Sequence, residues 1–401
     1  MWSFYLNDRG CMSFRLFRGR SVAGNARVLN IFSFWFCLRF YNAVAILYFA
    51  HATGSYVLGV SILVIAQVAQ GLLEVPAGIV SDRVGRVWCL RIGAMASLIS
   101  MLCYAGGTYW WLACGAVLDG LWRAMFNGNN EALLYESARE SGALDRFPRH
   151  LGNLNVAAEV AGFTAVMAGG FVAAWSMEWT LWLTALAQVP AIVVGFWLVE
   201  PKKHVVHAAN VWTHFREALG YMRRNMVLRN LSMAKVIGDG FSTFALWPAF
   251  YRQWMPVWAV GAMYSANWLL SAVGFAASGW FMKRFRPASI VLGSEMYSRV
   301  LMLPVLIFPS AVSPVLMVLG GASYGPSTVA LGTLMHEEFT DHQRATMASI
   351  NSLASNALYL VVAPVLGLVA DRWGAGRAIM VGQICLLPII WLFWRVWRRT
   401  T

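Results

Sequence analysis

Apolar runs decide what this chain can become. They fall near residues 28–50, 56–80, 89–107, 109–136, 152–175, 179–199, 230–253, 257–281, 289–308, 312–335, 346–370 and 377–397, each closed off by Gly, Pro or charge. A helix crossing a bilayer needs about 20 largely apolar residues, so twelve crossings take roughly 240 of the 401 positions and leave only short loops and ends. In hydrocarbon every backbone donor and acceptor must find its partner inside its own segment or in a closed barrel. Barrel strands alternate polar and apolar side chains and these runs do not. The predicted class is therefore all-α, an integral membrane protein of twelve transmembrane helices. Charged residues make up 12% of the chain against about 25% in a soluble domain, which excludes a water-soluble globule.

The charges that remain set an orientation. The formal net charge is +13, yet the basic residues follow alternate loops, and of the 31 Lys and Arg only Arg252, Arg372 and Arg377 fall in loops on the opposite side. That is the positive-inside pattern, not a nucleic-acid face. Arg9, Arg15, Arg18, Arg20 and Arg27 precede the first run, and Arg395, Arg398 and Arg399 end the last. Both termini are expected in the cytoplasm, with the chain multi-pass in a cell inner membrane. No cleavable leader is evident, and Met12 is an alternative start to Met1. Five cysteines, Cys37, Cys89, Cys103, Cys114 and Cys385, sit in apolar segments without metal or redox spacing; Cys103 and Cys114 flank one short outer turn, where a pairing stays open.

The longest connection carries Lys202, Lys203, Arg216, Arg223, Arg224 and Arg229. It divides the chain into a tail (1–27), a first six-helix half (28–199), a linker (200–229), a second half (230–397) and a short end (398–401). Within the linker Val211, Trp212, Phe215, Ala218, Leu219 and Met222 recur at helical spacing, which predicts an amphipathic helix on the membrane surface. The halves repeat: Gly78, Asp82 and Arg83 correspond to Gly279, Lys283 and Arg284 at an offset of 201, and Gly169–Trp175 resembles Leu366–Trp373.

The stretch LLEVPAGIVSDRVGR, Leu72 to Arg86, places Gly78, Asp82, Arg83, Gly85 and Arg86 in a pattern that resembles the signature loop of the major facilitator superfamily. Ala132–Tyr135, Leu198–Pro201 and Arg344–Met347 look like further landmarks, and the likeness runs from about residue 28 to residue 397. The resemblance implies two six-helix halves, alternating access, and a gating loop that latches the outward-open state. It also implies that helices 1, 4, 7 and 10 line a central cavity. The sequence is most similar to a twelve-helix, bacterial drug-efflux-like branch, with departures: Lys283 stands where the first half has Asp82, Arg286 replaces a glycine, and the fifth span lacks the Gly-Pro of many drug–proton antiporters. Arg123 resembles a fourth-helix arginine tied to proton coupling there, with Gly128 one place late.

An ionisable group inside a span costs at least about 2.5–3.5 kcal/mol on insertion scales, which makes each a functional candidate. Arg39 lies in helix 1, Asp119 and Arg123 in helix 4, Lys235 and Asp239 in helix 7, each pair four residues apart and so on one face. Together they form the expected substrate and proton set, with a structural ion-pair network as the alternative. Glu74 before Pro76 and Glu159 in helix 5 are further proton or gating candidates. Glu295 and Arg299, on a supporting helix, read as structural, and Glu131 as a partner in the latch. Trp122, Phe126, Trp247, Tyr251 and Trp268 supply aromatic surface to a cavity suited to an amphipathic organic molecule.

His336, Glu337, Glu338, Asp341 and His342 lack a zinc-site spacing, so no metal or cofactor is expected. Neither a phosphate loop nor a nucleophile elbow is present, and the reading is not that of an enzyme. The expected activity is secondary transport of a small organic solute, as proton-coupled efflux by a monomer in lipid. The alternatives are uptake of a small organic anion clamped by Arg39 and Arg123, or a membrane sensor or enzyme on the same scaffold.

Overall fold

Twelve helical crossings, in two halves of six, make up the fold, and the unbroken ones satisfy their backbone along their own length as hydrocarbon demands. The computed structural model describes residues 21–202, 220, 222, 224–338 and 341–400. Span 1 is Asn25–Cys37 and Ala45–Thr53, span 2 Tyr56–Val84, span 3 Arg86–Ala105, span 4 Tyr109–Phe126, span 5 Phe147–Ala173 and span 6 Met177–Gly195. Span 7 is Met226–Gly240 and Trp247–Tyr251, span 8 Val257–Arg284, span 9 Pro287–Ile307, span 10 Ser313–Leu319 and Gly321–Glu338, span 11 Asp341–Trp373, and span 12 Ala375–Cys385 and Leu387–Thr400. An even count leaves both ends on one face of the bundle, the tail side; the opposite face is the far side.

Three expectations change. The run at 109–136 is not one helix: Gly128 takes a left-handed φ of 76° and starts a separate amphipathic helix, Asn129–Glu140. Spans 1 and 7 are interrupted in mid-membrane. Among the described residues nine helices are long and apolar enough to cross a membrane, and the three crossings outside that set are spans 1, 4 and 7. Two are broken, and the third carries Asp119 and Arg123. Cys103 and Cys114 are free thiols. The amphipathic linker helix expected around Val211–Leu219 lies outside the described residues, as do the side chains of His336, Glu337, Glu338, Asp341 and His342.

Packing differs between the two sides. On the tail side each apolar cluster stays within one half: Leu29, Phe32, Leu90, Leu134 and Val194 in the first, Leu231, Val291, Leu334 and Leu392 in the second. On the far side one cluster joins the halves, bringing Val44 and Leu47 of span 1, Val64 of span 2 and Val166 of span 5 against Trp247, Phe250 and Tyr251 of span 7, Tyr264 of span 8 and Leu366 of span 11.

Two seams complete this seal. Between spans 5 and 8 the backbones touch. A Cβ on Gly170 or Gly261 would stand 2.7 or 2.6 Å from the other's Cα, so only glycine fits, and Phe171 stacks on Trp258 beside them at 5.8 Å. Between spans 2 and 11, Gln67 donates to Asn356 at 2.9 Å. At the far end of that seam the Asp371 carboxylate accepts from the backbone N–H of Tyr56 (2.6 Å) and Val57 (3.1 Å) and from the Ser55 hydroxyl (2.6 Å). Asp371 thus caps the first turn of a helix in the other half, where the exposed amides and the helix dipole both favour an anion.

Toward the tail side the same seams are open. Among the described residues Gly78 on span 2, Gly152 on span 5 and Gly279 on span 8 have nothing within 4 Å of a built Cβ. The halves are therefore sealed on the far side and parted on the tail side.

Candidate functional site

The breaks in spans 1 and 7 fall in corresponding places and have local causes. In span 1 the helix stops at Cys37 and a 3-10 turn at Phe40–Ala43 restarts it. The displaced Phe40 carbonyl presses on span 5, where a Cβ on Gly169 would lie 2.0 Å from its oxygen; glycine there makes the room. In span 7 Pro248 has no N–H to give the Phe244 carbonyl one turn back, and the Tyr264 hydroxyl donates to it instead at 2.7 Å. Each break is steadied by a buried glutamine on the sixth helix of its half. Gln188 Nε2 reaches the Phe36 carbonyl at 3.5 Å, and Gln383 Nε2 donates to Thr243 Oγ1 at 3.3 Å. Broken helices in equivalent positions of two repeats are the usual sign of a binding site at the midplane.

Charge gathers at the first break. Asp119, 2% exposed, accepts from Arg123 Nε at 2.8 Å, Trp122 Nε1 at 2.6 Å and the Tyr41 hydroxyl at 3.3 Å. Arg39, 5% exposed, stands 3.9 Å from the same carboxylate, donates Nη2 to Ser97 at 2.9 Å and lies over the Trp122 ring at 3.6 Å. Its Nη1 makes no hydrogen bond among the described residues. Phe126 stacks on Phe36 at 4.6 Å, and Phe36 meets the edge of Trp122. Two guanidinium groups and one carboxylate leave a net positive charge in a nearly closed aromatic box, with part of Arg123 still reaching solvent.

Asp239 does not join this cluster. It pairs with Lys235 at 3.0 Å and accepts weakly from Ser355 at 3.5 Å in the second half, and both members of the pair are solvent-accessible. Arg299 holds Glu295 at 2.9 Å and donates to Gln383, so this pair braces the span 7 break through Gln383 and Thr243.

In the signature loop Gly85, at φ 123°, turns the chain into span 3, and Glu200 accepts from the backbone N–H of Arg86 (2.7 Å) and Val87 (2.8 Å). Arg86 pairs with Asp82 and with Glu136, each at 3.3 Å, and donates to Ser81 and Asn129. These partners all belong to the first half, and the acid opposite Arg86 is Glu136 rather than the expected Glu131.

Trp247 and Tyr251 are 9% and 0% exposed and sit in the far-side seal, not on a cavity wall; Trp268 packs at Gly162 on the span 5–8 seam. Glu74 and Glu159 are exposed, and neither has a hydrogen-bond or ion-pair partner among the described residues. Tyr41, Ser97, Gln188, Thr243 and Gln383 also belong to the site, and being uncharged they are not marked by the cost of an ion within a span. The signal available for the glutamines was a buried amide within an apolar run.

The family model for the Major Facilitator Superfamily matches residues 27–358. Among solved structures, a variant of the nucleoside transporter NupG superposes with a TM-score of 0.78 at 12% identity, covering 94% of this chain and 100% of its own. A bacterial homologue of the human lysosomal transporter Spinster, in an inward-facing and unoccupied conformation, gives 0.71 at 13% over 95% and 98%. The E. coli fucose:proton symporter FucP gives 0.58 at 15% over 94% and 99%. At such identities the likeness is one of fold. No curated protein matches the sequence.

Proposed function

The chain belongs to the major facilitator superfamily, and from that premise we propose that it is a proton-coupled secondary transporter that exports a small amphipathic organic solute by alternating access. The observation that carries this reading is the pair of broken spans 1 and 7, with the Arg39–Asp119–Arg123 cluster at the first break. Irregular backbone at membrane depth is tolerated where it lines a cavity or is buried in protein. A buried charge cluster costs too much to keep without a task. The aromatic side chains around the cluster favour an amphipathic ligand over a sugar.

In this reading the tail side is cytoplasmic, as the arginine-rich ends require, and the structure is the inward-open state of a monomer in a cell inner membrane. The loop Gly78–Arg86 is the latch of the opposite state, disengaged here, with Asp82 72% exposed. Arg39, Arg123 and Trp122 hold solute; Asp119, Asp239, Lys235, Glu74 and Glu159 are the candidates for coupling to protons. The drug-efflux-like branch is part of the same proposal. A second reading, import of an organic anion, draws on Arg39 Nη1, which makes no hydrogen bond among the described residues, and on a second arginine that shares Asp119 with it.

Flux of a panel of labelled amphipathic cations, neutral compounds and carboxylates into liposomes, with and without a pH gradient, tests both. Gradient-driven movement of a cation or neutral compound supports export. Movement of carboxylates alone selects the second reading, and no protein-dependent flux of any compound refutes transport.

A further inference from the structure

Gly170, Val166, Gly162, Glu159, Asn155 and Gly152 follow one another at three- and four-residue steps and share one face of span 5. Its far-side part is engaged. Gly170 meets Gly261, a Cβ on Gly162 would stand 3.2 Å from the Trp268 ring, and Ser265 donates to the Phe163 carbonyl at 3.4 Å. Its tail-side part, from Glu159 to Gly152, is exposed. So is the matching stripe of span 8, Ala272, Ala276 and Gly279, which continues from Gly261, Ser265 and Trp268. When the tail-side mouth closes, these stripes are the surfaces that meet, and small residues on both sides make that close fit possible.

Glu159 lies in the middle of this contact, and among the described residues it has no ion-pair partner. Span 8 carries no charge before Lys283 and Arg284 at its tail end. Span 6 has only Glu178, at the far end. The helix Asn129–Glu140 and the turn Leu144–Arg146 place Glu131, Glu136, Arg139, Glu140, Asp145 and Arg146 at the tail-side rim. On span 5 itself, Arg149 and His150 lie more than two turns away. On span 1, Cys37 is within electrostatic reach of both Glu159 and Arg39, but Arg39 is already committed to Asp119 and Ser97. Asp119, by contrast, has its oxygens occupied by Arg123, Trp122 and Tyr41. Neutralising it would strand the buried Arg39 and the half-buried Arg123.

We propose that Glu159, not Asp119 or Asp239, is the group whose neutralisation permits the tail-side mouth to close. The inference rests on the transporter reading and specifies a pH-sensitive gate at its tail-side mouth. In the open state the carboxylate is hydrated. On closure it takes one proton from water and enters the span 5–8 seam as a neutral acid, and on reopening it gives that proton back. A closed, deprotonated seam would hold a bare carboxylate between alanines and a tryptophan, which burial forbids.

Spin labels at S141C and F285C, both exposed at the tail-side rim, in a background without native cysteines, report the opening as a distance distribution. One proton taken up per closure changes the closed-to-open ratio by about tenfold per pH unit within the titration. The short-distance population is expected to grow on acidification by that factor. Glu159→Gln should be largely closed and insensitive to pH, and Glu159→Asp should restore the response. A pH-independent ratio with Glu159 intact, or an unchanged response in Glu159→Gln, overturns the proposal. Solute counterflow at fixed pH separates the two claims. If counterflow is absent for every solute with Glu159 intact, the transporter reading fails whatever the distances show; if it is present while the distances ignore Glu159, only the gate assignment fails.

Discussion

Removing the Asp371 carboxylate should open the far side. Asp371 accepts three hydrogen bonds from the start of span 2, two of them from backbone amides that have no partner within the helix. Losing a side-chain cap at a helix N-terminus costs about 1 kcal/mol, and losing a negative charge at the dipole's positive end adds about 0.5 kcal/mol at an exposed site. The sum, about 1.5 kcal/mol, is about a tenfold shift in the ratio of far-side closed to far-side open protein. It acts on that equilibrium and not on the fold, because the contact joins the two halves and neither half needs it internally. Asp371→Ala should show the full effect and Asp371→Asn a smaller one, since an amide oxygen still accepts but without charge. Labels at T108C and A311C, exposed on the far-side rims of the two halves, read the opening as distances. Identical distributions with Asp371 present and replaced by Ala would refute the idea that this cap holds the seal.

Other expectations follow from the same geometry. Asp119→Asn leaves the buried Arg39 without a counter-charge and should lower fold stability by about 3 kcal/mol, whereas Asp239→Asn, in an exposed pair, should cost less than about 1 kcal/mol; thermal unfolding in detergent compares them, and equal losses would count against the cluster as described. Gly261→Leu drives a side chain into the Gly170 backbone, 2.6 Å from a Cβ, and at about 1–3 kcal/mol for overpacking it should part the far-side seam in the same label assay. Asp82→Asn, at a site 72% exposed with Arg86 as its ion-pair partner, should leave thermal stability within about 0.5 kcal/mol while slowing flux, since its latch belongs to the other state. A large loss of stability would mean that Asp82 already bears a structural load in this state.

The number of crossings was legible because hydrocarbon punishes any other arrangement of long apolar runs. The meeting of Arg39 with Asp119 and Arg123 was legible for a related reason: a charge within a span needs a partner, and the candidates were few. The breaks were not. No Gly or Pro marks residues 38–44, and what permits the break in span 1 is Gly169, distant in sequence, giving way to a carbonyl. Pro248 marks span 7 only after the helix has already stopped. Gln188 and Gln383 passed unnoticed because a neutral amide barely disturbs an apolar run. Asp371 reads as an ordinary loop acid, since its partners are backbone amides in the other half. Trp247 and Tyr251 were placed on a cavity wall because an aromatic stripe looks the same whether it faces water or another helix.

The far-side seal has a thermal character. Val44, Leu47, Val166, Trp247, Phe250, Tyr251, Tyr264 and Leu366 are held together across the two halves chiefly by keeping apolar surface from water, and opening wets them. Hydrating apolar surface raises heat capacity, so the free energy of opening is curved in temperature and the seal weakens on cooling. The Asp371 cap carries no such signature. Near freezing, the balance between the two mouths therefore rests more on that carboxylate and less on the aromatic cluster. The conformer captured in a chilled or vitrified sample need not be the one that dominates in a warm cell.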